Sequence, residues 1–158
     1  MSTSPAFPRL EIPATQPHTD ADRAAWAVVD RMLVKDAFSQ WLGVEIVEVR
    51  VQYAVIRMTV RPEMVNGFGF GHGGIVFSFA DSAHAFATNS DGEISVAVDC
   101  SVSYPAPLRV GDVLTAIAVE QTTSNRLGFC DVTVRNQNDV IVAHFRGTVY
   151  RTRKPLPE

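Results

Sequence analysis

Cysteine, basic charge and long apolar runs are scarce in this sequence, and each shortage excludes a class of protein. The 158 residues include two cysteines, Cys100 and Cys130, which lack the spacing of a metal or redox motif. A net charge of -3 gives no basic field of the kind that attracts nucleic acid. No uncharged apolar run reaches the roughly 18 residues of a membrane span, and no secretory leader pattern opens the sequence. We therefore expect a cytoplasmic protein with neither a nucleic-acid nor a membrane partner.

The composition is that of one folded domain. Hydrophobic residues make up 46% and charged residues 20%, which is too apolar for a chain that stays disordered. Both cysteines lie in alternating apolar stretches, which favours buried thiols in a reducing compartment, while a disulfide between them stays an open alternative. Residues 1–19 differ because their four prolines oppose both helices and central strands. We expect a proline-rich N-terminal arm over 1–19 and a single domain over 20–154.

Hydrophobic periodicity predicts two helices and six strands. Apolar residues recur at helical spacing over 20–41, with Gly43 placed to end that helix. The predicted elements are a helix over 20–41, strands over 44–51 and 53–60, a helix over 74–90, and strands over 94–104, 113–121, 127–136 and 140–150. Alternation on a single face, with polar connections such as residues 136–139, favours antiparallel pairing. We therefore predict an α+β fold in which an antiparallel sheet is wrapped around one central helix.

The most unusual segment is the glycine-rich turn over 66–74, with five glycines in eight residues directly before an apolar helix. Glycine allows positive φ and a close approach of a ligand to the backbone. The first amides of a helix have no internal partner and carry partial positive charge. The amides of Gly73 and Gly74 are therefore candidates for binding an anion or a developing oxyanion. A flexible loop followed by a core helix is the plainer alternative.

Residues 69–74 also fit the dinucleotide pattern G-x-G-x-x-G, and their context argues against a dinucleotide site. The pattern should directly follow a parallel strand. Here Pro62 and a further loop intervene, and the later strands alternate like antiparallel ones. We therefore expect no dinucleotide at this turn.

The helix over 74–90 has two unlike sides. The side opposite its apolar face carries Phe77, Asp81, His84 and Thr88. A solvated Asp81 is the plain alternative, but Phe77 beside it favours cover by a second subunit. A carboxylate in such a partly apolar cleft suits general-base or nucleophilic work. The continuous apolar arc that faces the core consists of Ile75, Val76, Phe79, Ala80, Ala83, Phe86 and Ala87.

Two other kinds of site find little support in the sequence. His72, His84 and Asp81 are metal-ligating residue types, yet neither the H-x-x-x-H helix spacing nor a cysteine cluster is present, so we expect no metal. Ser78 and Ser82 lack the nucleophile-elbow context of a Ser-His-Asp triad.

A set of short motifs runs from the glycine-rich turn to the last predicted strand. The motifs are His72-Gly73-Gly74, the helix segments 77–83 and 87–90, the strand segment 99–104, residues 107–114 with Gly111-Asp112, and Ala143-His144-Phe145-Arg146-Gly147. In this combination, which covers about residues 28–150, the chain resembles the hotdog-fold acyl-CoA thioesterases of the phenylacetic acid degradation (PaaI) type.

The resemblance implies a fold, an activity and a set of site residues. It implies the hotdog fold, hydrolysis of aryl- or acyl-CoA thioesters, no cofactor, and homodimers with shared active sites that commonly pair into homotetramers. It gives Asp81 the role of catalytic carboxylate and the Gly73 amide that of oxyanion donor. It gives His72 a supporting role, and Asn66 matches the asparagine before the glycine turn. Whether Asp81 attacks the carbonyl or deprotonates water stays open, because both roles need the same ionised carboxylate.

Aromatic and basic residues suggest how a substrate would bind. We expect Phe68, Phe70 and Phe77 to wall the acyl group beside the Gly74 amide, which favours small aromatic acyl groups such as phenylacetyl. The candidate partners for the CoA phosphates are Arg109 and Arg126, with Arg151, Arg153 and Lys154 as further candidates.

Two other functions stay open. A hotdog hydratase or dehydratase would use a histidine and a carboxylate to move a proton and water. A non-catalytic acyl-CoA-binding module would keep the glycine turn without turnover, although mere binding offers no evident reason for an acid at Asp81.

Overall fold

The computed structural model describes residues 19–157, which form three α-helices, a short 3-10 turn and six strands. The predicted N-terminal arm over 1–19 lies outside this range apart from Thr19, which caps the first helix. No helix within residues 19–157 is both long and apolar enough to cross a membrane. The elements are α1 (Asp20–Lys35), α2 (Ala37–Leu42), β1 (Glu45–Arg50), β2 (Tyr53–Thr59), the 3-10 turn (Pro62–Met64), α3 (Gly73–Asn89), β3 (Glu93–Ser103), β4 (Val113–Thr123), β5 (Leu127–Arg135) and β6 (Ile141–Pro155).

The single helix predicted over 20–41 is wrong, because Asp36 divides it into α1 and α2. Asp36 has φ -95° and ψ 86°, outside the helical region. Its carboxylate accepts hydrogen bonds from the amides of Phe38 and Ser39 at 3.1 and 3.0 Å, so it caps α2. Aspartate competes with the helix ladder in this way, which the apolar periodicity alone does not reveal. Gly43, at φ 78°, ends α2 as predicted.

The six strands form one antiparallel sheet in the order β1-β2-β4-β5-β6-β3. The predicted strands and their antiparallel pairing are confirmed, with boundaries that shift by a few residues. The largest shift is at β6, which continues to Pro155 and pairs there with Glu93. Because the sheet is antiparallel, the glycine-rich turn does not have the parallel strand that a dinucleotide fingerprint requires.

Helix α3 packs against five strands, β2 to β6, and the sheet therefore encloses it on one side. Phe79 and Phe86 are completely or almost completely buried there, and Ala80 and Ala83 between them are fully buried. This confirms the predicted apolar arc, with Ile75 at its margin and only partly buried.

Cys100 and Cys130 are both free thiols. Each pairs in register with Gly147, one from β3 and the other from β5, so strand β6 lies between them. Two strand spacings amount to about 10 Å, which exceeds the reach of a disulfide. The disulfide alternative is therefore wrong. Burial raises the pKa of the Cys130 thiol to about 12, as the buried-thiol interpretation expects.

Candidate active site

The glycine-rich turn before α3 is an ordered loop held by Asn66. The Asn66 side-chain oxygen accepts hydrogen bonds from the amides of Phe68 and Phe70 at 2.9 and 3.2 Å. Gly69 adopts φ 79°, which favours glycine. The amino group of Asn66 donates to no residue in the described range 19–157, so it is available to a ligand.

Gly71 needs to be glycine for reasons of space. Its amide donates to the Leu108 carbonyl at 2.9 Å. A Cβ at residue 71 would lie 2.6 Å from the Leu108 Cβ, closer than real contacts allow. The glycine-rich turn is thus fixed against the segment that precedes β4.

His72 is the N-cap of α3. Its Nδ1 accepts a hydrogen bond from the Gly74 amide at 2.9 Å. The Gly74 amide is therefore already paired with the His72 side chain. The Gly73 amide donates to none of the residues that the structure describes, and it carries the partial positive charge of a helix N-terminus.

Tyr104 holds the Gly73 peptide from the other side. Its hydroxyl donates to the Gly73 carbonyl at 2.9 Å. Partial burial raises the pKa of the Tyr104 phenol, so the hydroxyl keeps its proton and remains a donor. This role of Tyr104 was not predicted from the sequence. The motif over 99–104 was the available signal, but only the fold brings the end of β3 to the start of α3.

A cavity of about 220 Å³ opens beside the Gly73 peptide. Its wall is mainly aliphatic, with Val76 from α3 and Leu108 from the segment before β4. Tyr104 adds an aromatic ring to the wall. An apolar space of this size next to a free amide suits a small apolar group attached to a carbonyl.

Asp81 lies on the open side of α3, and 45% of its side chain is exposed. The expectation that His84 shares this open side is wrong, because the His84 side chain is only 1% exposed. The imidazole fits over Gly147, where a Cβ would lie 2.5 Å from His84 Nε2. The ring centroids of His84 and Phe145 are 5.4 Å apart. Thr88 is buried as well, so the open side is narrower than the sequence predicts.

The three phenylalanines do not form one wall within a single chain. Phe68 is 88% exposed at the tip of the turn. The Arg109 guanidinium lies over the Phe70 ring, with the Arg109 Cζ atom 5.4 Å from the ring centroid. Phe77 packs edge-on against Phe145 with centroids 5.4 Å apart. Phe77 is the member of this set that lies on α3 with Asp81.

The two arginines predicted to bind CoA phosphates lie at opposite ends of α3. Arg109 lies beside the glycine-rich turn through its contact with Phe70. Arg126 donates to the Arg151 carbonyl at 3.3 Å. Arg151 in turn bonds Asp91, just beyond the C-terminal end of α3, at 2.9 Å. Arg151 is itself buried and bound to two carboxylates, so its assignment as a phosphate ligand is wrong.

The free amide and the carboxylate are well separated along one helix. Asp81 follows Gly73 by eight residues in α3, which corresponds to about 12 Å at 1.5 Å per residue. One small carbonyl group cannot contact both groups within one chain. The amide is suited to an oxyanion and the carboxylate to base or nucleophilic chemistry, provided that a second copy brings them together.

Comparisons with known proteins agree with this description. The family model described as the thioesterase superfamily matches residues 68–143. The acyl-coenzyme A thioesterase PaaI of Escherichia coli is 39% identical over 127 residues, which are 80% of this chain and 91% of that protein. The structure of the E. coli PaaI protein from the phenylacetic acid degradation operon superposes with a TM-score of 0.84 at 36% identity, covering 87% of this chain and 99% of that chain.

A crystal structure from Streptococcus mutans, bound to acetyl-CoA, has a related fold. It gives a TM-score of 0.69 at 26% identity and covers 72% of this chain and 91% of that chain. A relative with this fold therefore accommodates a CoA thioester.

Proposed function

The chain belongs to the hotdog-fold acyl-CoA thioesterases of the phenylacetic acid degradation (PaaI) type, and from this premise we propose that it hydrolyses a small acyl-CoA to a free acid and CoA. The observation that carries the proposal is the Gly73 amide, which has no described acceptor at the start of a helix whose open side presents Asp81. The activity is tested by free-thiol release from a panel of aryl- and straight-chain acyl-CoA substrates. Hydration of an enoyl thioester without thiol release, or tight binding without turnover, would contradict hydrolysis.

We propose that the active site is shared between two subunits. Two antiparallel copies of α3 related by a two-fold axis would bring Gly73 of one subunit to Asp81 of the partner subunit, twice per dimer. Strand β3 is one of the two edges of the sheet, with Val96 and Val98 facing solvent. Such an edge needs cover. The wider family also pairs dimers into tetramers, and we propose the same here.

The reaction begins with the thioester carbonyl oxygen on the Gly73 amide. The helix N-terminus stabilises the negative charge that develops on this oxygen. Asp81 of the partner subunit then either attacks the carbonyl carbon, giving a mixed anhydride that water hydrolyses, or takes a proton from an attacking water. In both routes the carbon-sulfur bond breaks and the thiolate leaves as CoA after gaining a proton. His72 and Tyr104 hold the Gly73 peptide in place.

Subunit mixing tests the shared site directly. Asp81→Asn and Gly73→Ala should each be almost inactive as pure proteins, the second because its Cβ would lie 3.3 Å from the Tyr104 ring and displace the amide. When the two variants are unfolded and refolded together, each hybrid dimer regains one intact site. Random assortment makes about half of the dimers hybrids, and each hybrid has one intact site of two, so about a quarter of the parent activity returns. If the mixture stays as inactive as its components while hybrids form, the site lies within one chain.

Asn66 supplies a second donor, and Asn66→Asp separates this role from its role in the loop. The aspartate keeps an oxygen to accept from the amides of Phe68 and Phe70 but loses the amino group. We expect turnover to fall by about 100-fold or more, as for loss of an oxyanion donor, with a small change in melting temperature.

Asn136→Asp is the matched control for Asn66→Asp. The Asn136 oxygen holds another turn in the same way, accepting from the amides of Asn138 and Val140 at 3.0 and 3.1 Å. The turnover of Asn136→Asp per folded molecule should match that of the parent. Because Asn136 is more buried than Asn66, the new carboxylate will lower the melting temperature of this variant. Equal turnover of Asn66→Asp and the parent would remove Asn66 from the mechanism.

We propose a small aromatic acyl group as the preferred substrate. The cavity of about 220 Å³ beside Gly73 has room for one ring. Phe77 lies on the side of α3 that the partner subunit would cover. Phe68 and Phe70 would reach the acyl group only from the same shared cleft. Arg109 and Arg126 are proposed to bind CoA phosphates, one at each end of α3.

The specificity constant should be higher for phenylacetyl-CoA than for long straight-chain acyl-CoA. The physical reason is the limited apolar volume next to the carbonyl site. The measurement compares kcat/KM across straight chains of increasing length and across aryl-CoA thioesters. A steady rise with chain length that passes the phenylacetyl value would contradict an aromatic preference.

A further inference from the structure

Three side chains of different chemistry meet at the middle of α3. Asp81 and His84 lie one turn apart on the helix, and Cys100 reaches them from β3. One potential donor atom from each of the three lies within 4.8 Å of the other two. Residue types alone group Asp81 and His84 with His72, whereas Cys100 joins Asp81 and His84 only because the fold brings β3 to this part of the helix.

The three groups are weakly engaged with other residues. The contact from His84 Nδ1 to Asp81 Oδ1 is 3.4 Å, longer than an ordinary hydrogen bond. His84 Nε2 is buried and has no partner among residues 19–157. It lies against Gly147, with which Cys100 pairs in register. An imidazole buried to this degree with an unpaired nitrogen calls for an explanation.

The charges at this position favour a cation. The carboxylates of Asp81 and Asp99 both act electrostatically on the Cys100 side chain. A divalent cation would compensate the Asp81 carboxylate and a Cys100 thiolate together.

We propose that Asp81, His84 and Cys100 form a binding site for a thiophilic divalent cation, for which Zn²⁺ is the best fit, and that the cation inhibits the enzyme. Carboxylate, imidazole and thiolate are the three ligand types of zinc, whereas Mg²⁺ and Ca²⁺ prefer oxygen alone. Three protein ligands leave a fourth position open toward the exposed side of Asp81. The ligand atoms around a tetrahedral zinc ion lie roughly 3.5 Å from one another. The donor atoms of the partly exposed Asp81 and Cys100 side chains must therefore move about 1 Å closer to the other ligands.

Inhibition would follow from the dual use of Asp81. A carboxylate bound to the cation can neither attack a carbonyl nor accept a proton. The binding of the cation does not rest on the proposed function, but the inhibition does. The two parts are therefore measured separately.

Cobalt titration tests the site without reference to activity. The full chain, freed of metal with a chelator, is titrated with Co²⁺, which takes zinc sites and reports its ligands by absorbance. We expect a thiolate-to-cobalt charge-transfer band that saturates at one equivalent per subunit and disappears when Zn²⁺ is added.

The matched variants are Cys100→Ser and Cys130→Ser. Both cysteines lie beside Gly147, but Cys130 is on the far side of β6 from β3. The band should be absent in Cys100→Ser and unchanged in Cys130→Ser. If Cys100→Ser melts at a much lower temperature than the parent, Cys100→Ala replaces it in the cobalt titration. Absence of the band in the parent, or its persistence in a folded Cys100 variant, overturns the site.

The inhibition is measured by loss of thioester absorbance, because Zn²⁺ would interfere with capture of free thiols. We expect Zn²⁺ to abolish turnover of the parent and a chelator to restore it. Cys100→Ser should require at least about 10-fold more Zn²⁺ for half-inhibition. If cobalt shows the thiolate band but Zn²⁺ leaves turnover unchanged, the site stands while both the inhibition and the catalytic role of Asp81 fail.

Discussion

The Asp81→Asn variant should lose about 100-fold to 10,000-fold in turnover while melting close to the parent temperature. The amide has the shape of the carboxylate but can neither attack a carbonyl nor accept a proton at neutral pH. Asp81 is 45% exposed, and its contact with His84 is a long 3.4 Å, so little folding free energy depends on its charge. Turnover number and thermal midpoint, measured on the same preparation, give the comparison.

Asp30→Asn is a suitable control for Asp81→Asn. Asp30 is an exposed helix carboxylate on α1, so its substitution changes net charge in the same way without touching α3. Its turnover should equal that of the parent. If Asp81→Asn melts like the parent and still turns over within a few-fold of the parent rate, Asp81 is not the catalytic carboxylate.

Arg151→Met should lower the free energy of unfolding by about 3–5 kcal/mol at neutral pH. The Arg151 guanidinium donates to both carboxylate oxygens of Glu120 at 2.7 and 2.6 Å, in a buried position between β4 and β6. Methionine would leave the Glu120 carboxylate without its cationic partner. Removing one member of a buried pair costs far more than the pair itself contributes. Denaturant unfolding measures the difference.

The stability loss in Arg151→Met should shrink as the pH falls. Burial raises the pKa of Glu120 even though Arg151 opposes the shift, and the variant removes that opposition. An acid whose folded pKa lies above its unfolded value destabilises the fold at high pH, and this penalty fades as protonation proceeds. The deficit should therefore be largest near neutral pH and smaller in mildly acidic buffer.

Arg146→Met on the same strand is the control for Arg151→Met. Arg146 forms a bidentate pair with Asp131 at 2.6 and 2.9 Å, but 70% of its side chain is exposed. Exposed pairs contribute little, so this variant should unfold nearly as the parent does. Equal stability losses in the two variants would show that burial of the Arg151 pair is not what makes it important.

Local patterns were sufficient to predict the strands, the central helix and its apolar arc. Alternation at a period of two depends only on which face of a strand is buried. Strand β5 and most of β6 keep that rule, whereas β2 and β4 each bury three consecutive residues. The division at Asp36 was missed because a side-chain cap competes with apolar periodicity. The positions of the Gly73 amide and of Asp81 followed from helix geometry and from the family motifs.

Contacts made across the sheet were beyond prediction from the sequence. A helical wheel places His84 beside Asp81, but it cannot show that Gly147 leaves a space for the imidazole on the strand below. The same limit applies to Tyr104, whose hydroxyl reaches Gly73 from a distant strand. Cys100 and Arg151 likewise obtain their neighbours from strand order, which no local pattern encodes.

The strand order has a consequence for how the chain folds as it is synthesised. Strand β3 precedes β4 and β5 in the chain, yet in the described sheet it pairs only with β6, which is made last. Until β6 leaves the ribosome, β1, β2, β4 and β5 can assemble, while β3 lacks the strand with which it pairs. The gap beside His84 also stays open until Gly147 arrives. Folding therefore ends with a single long-range insertion, the kind of step that is slow and leaves a nascent chain open to chaperones.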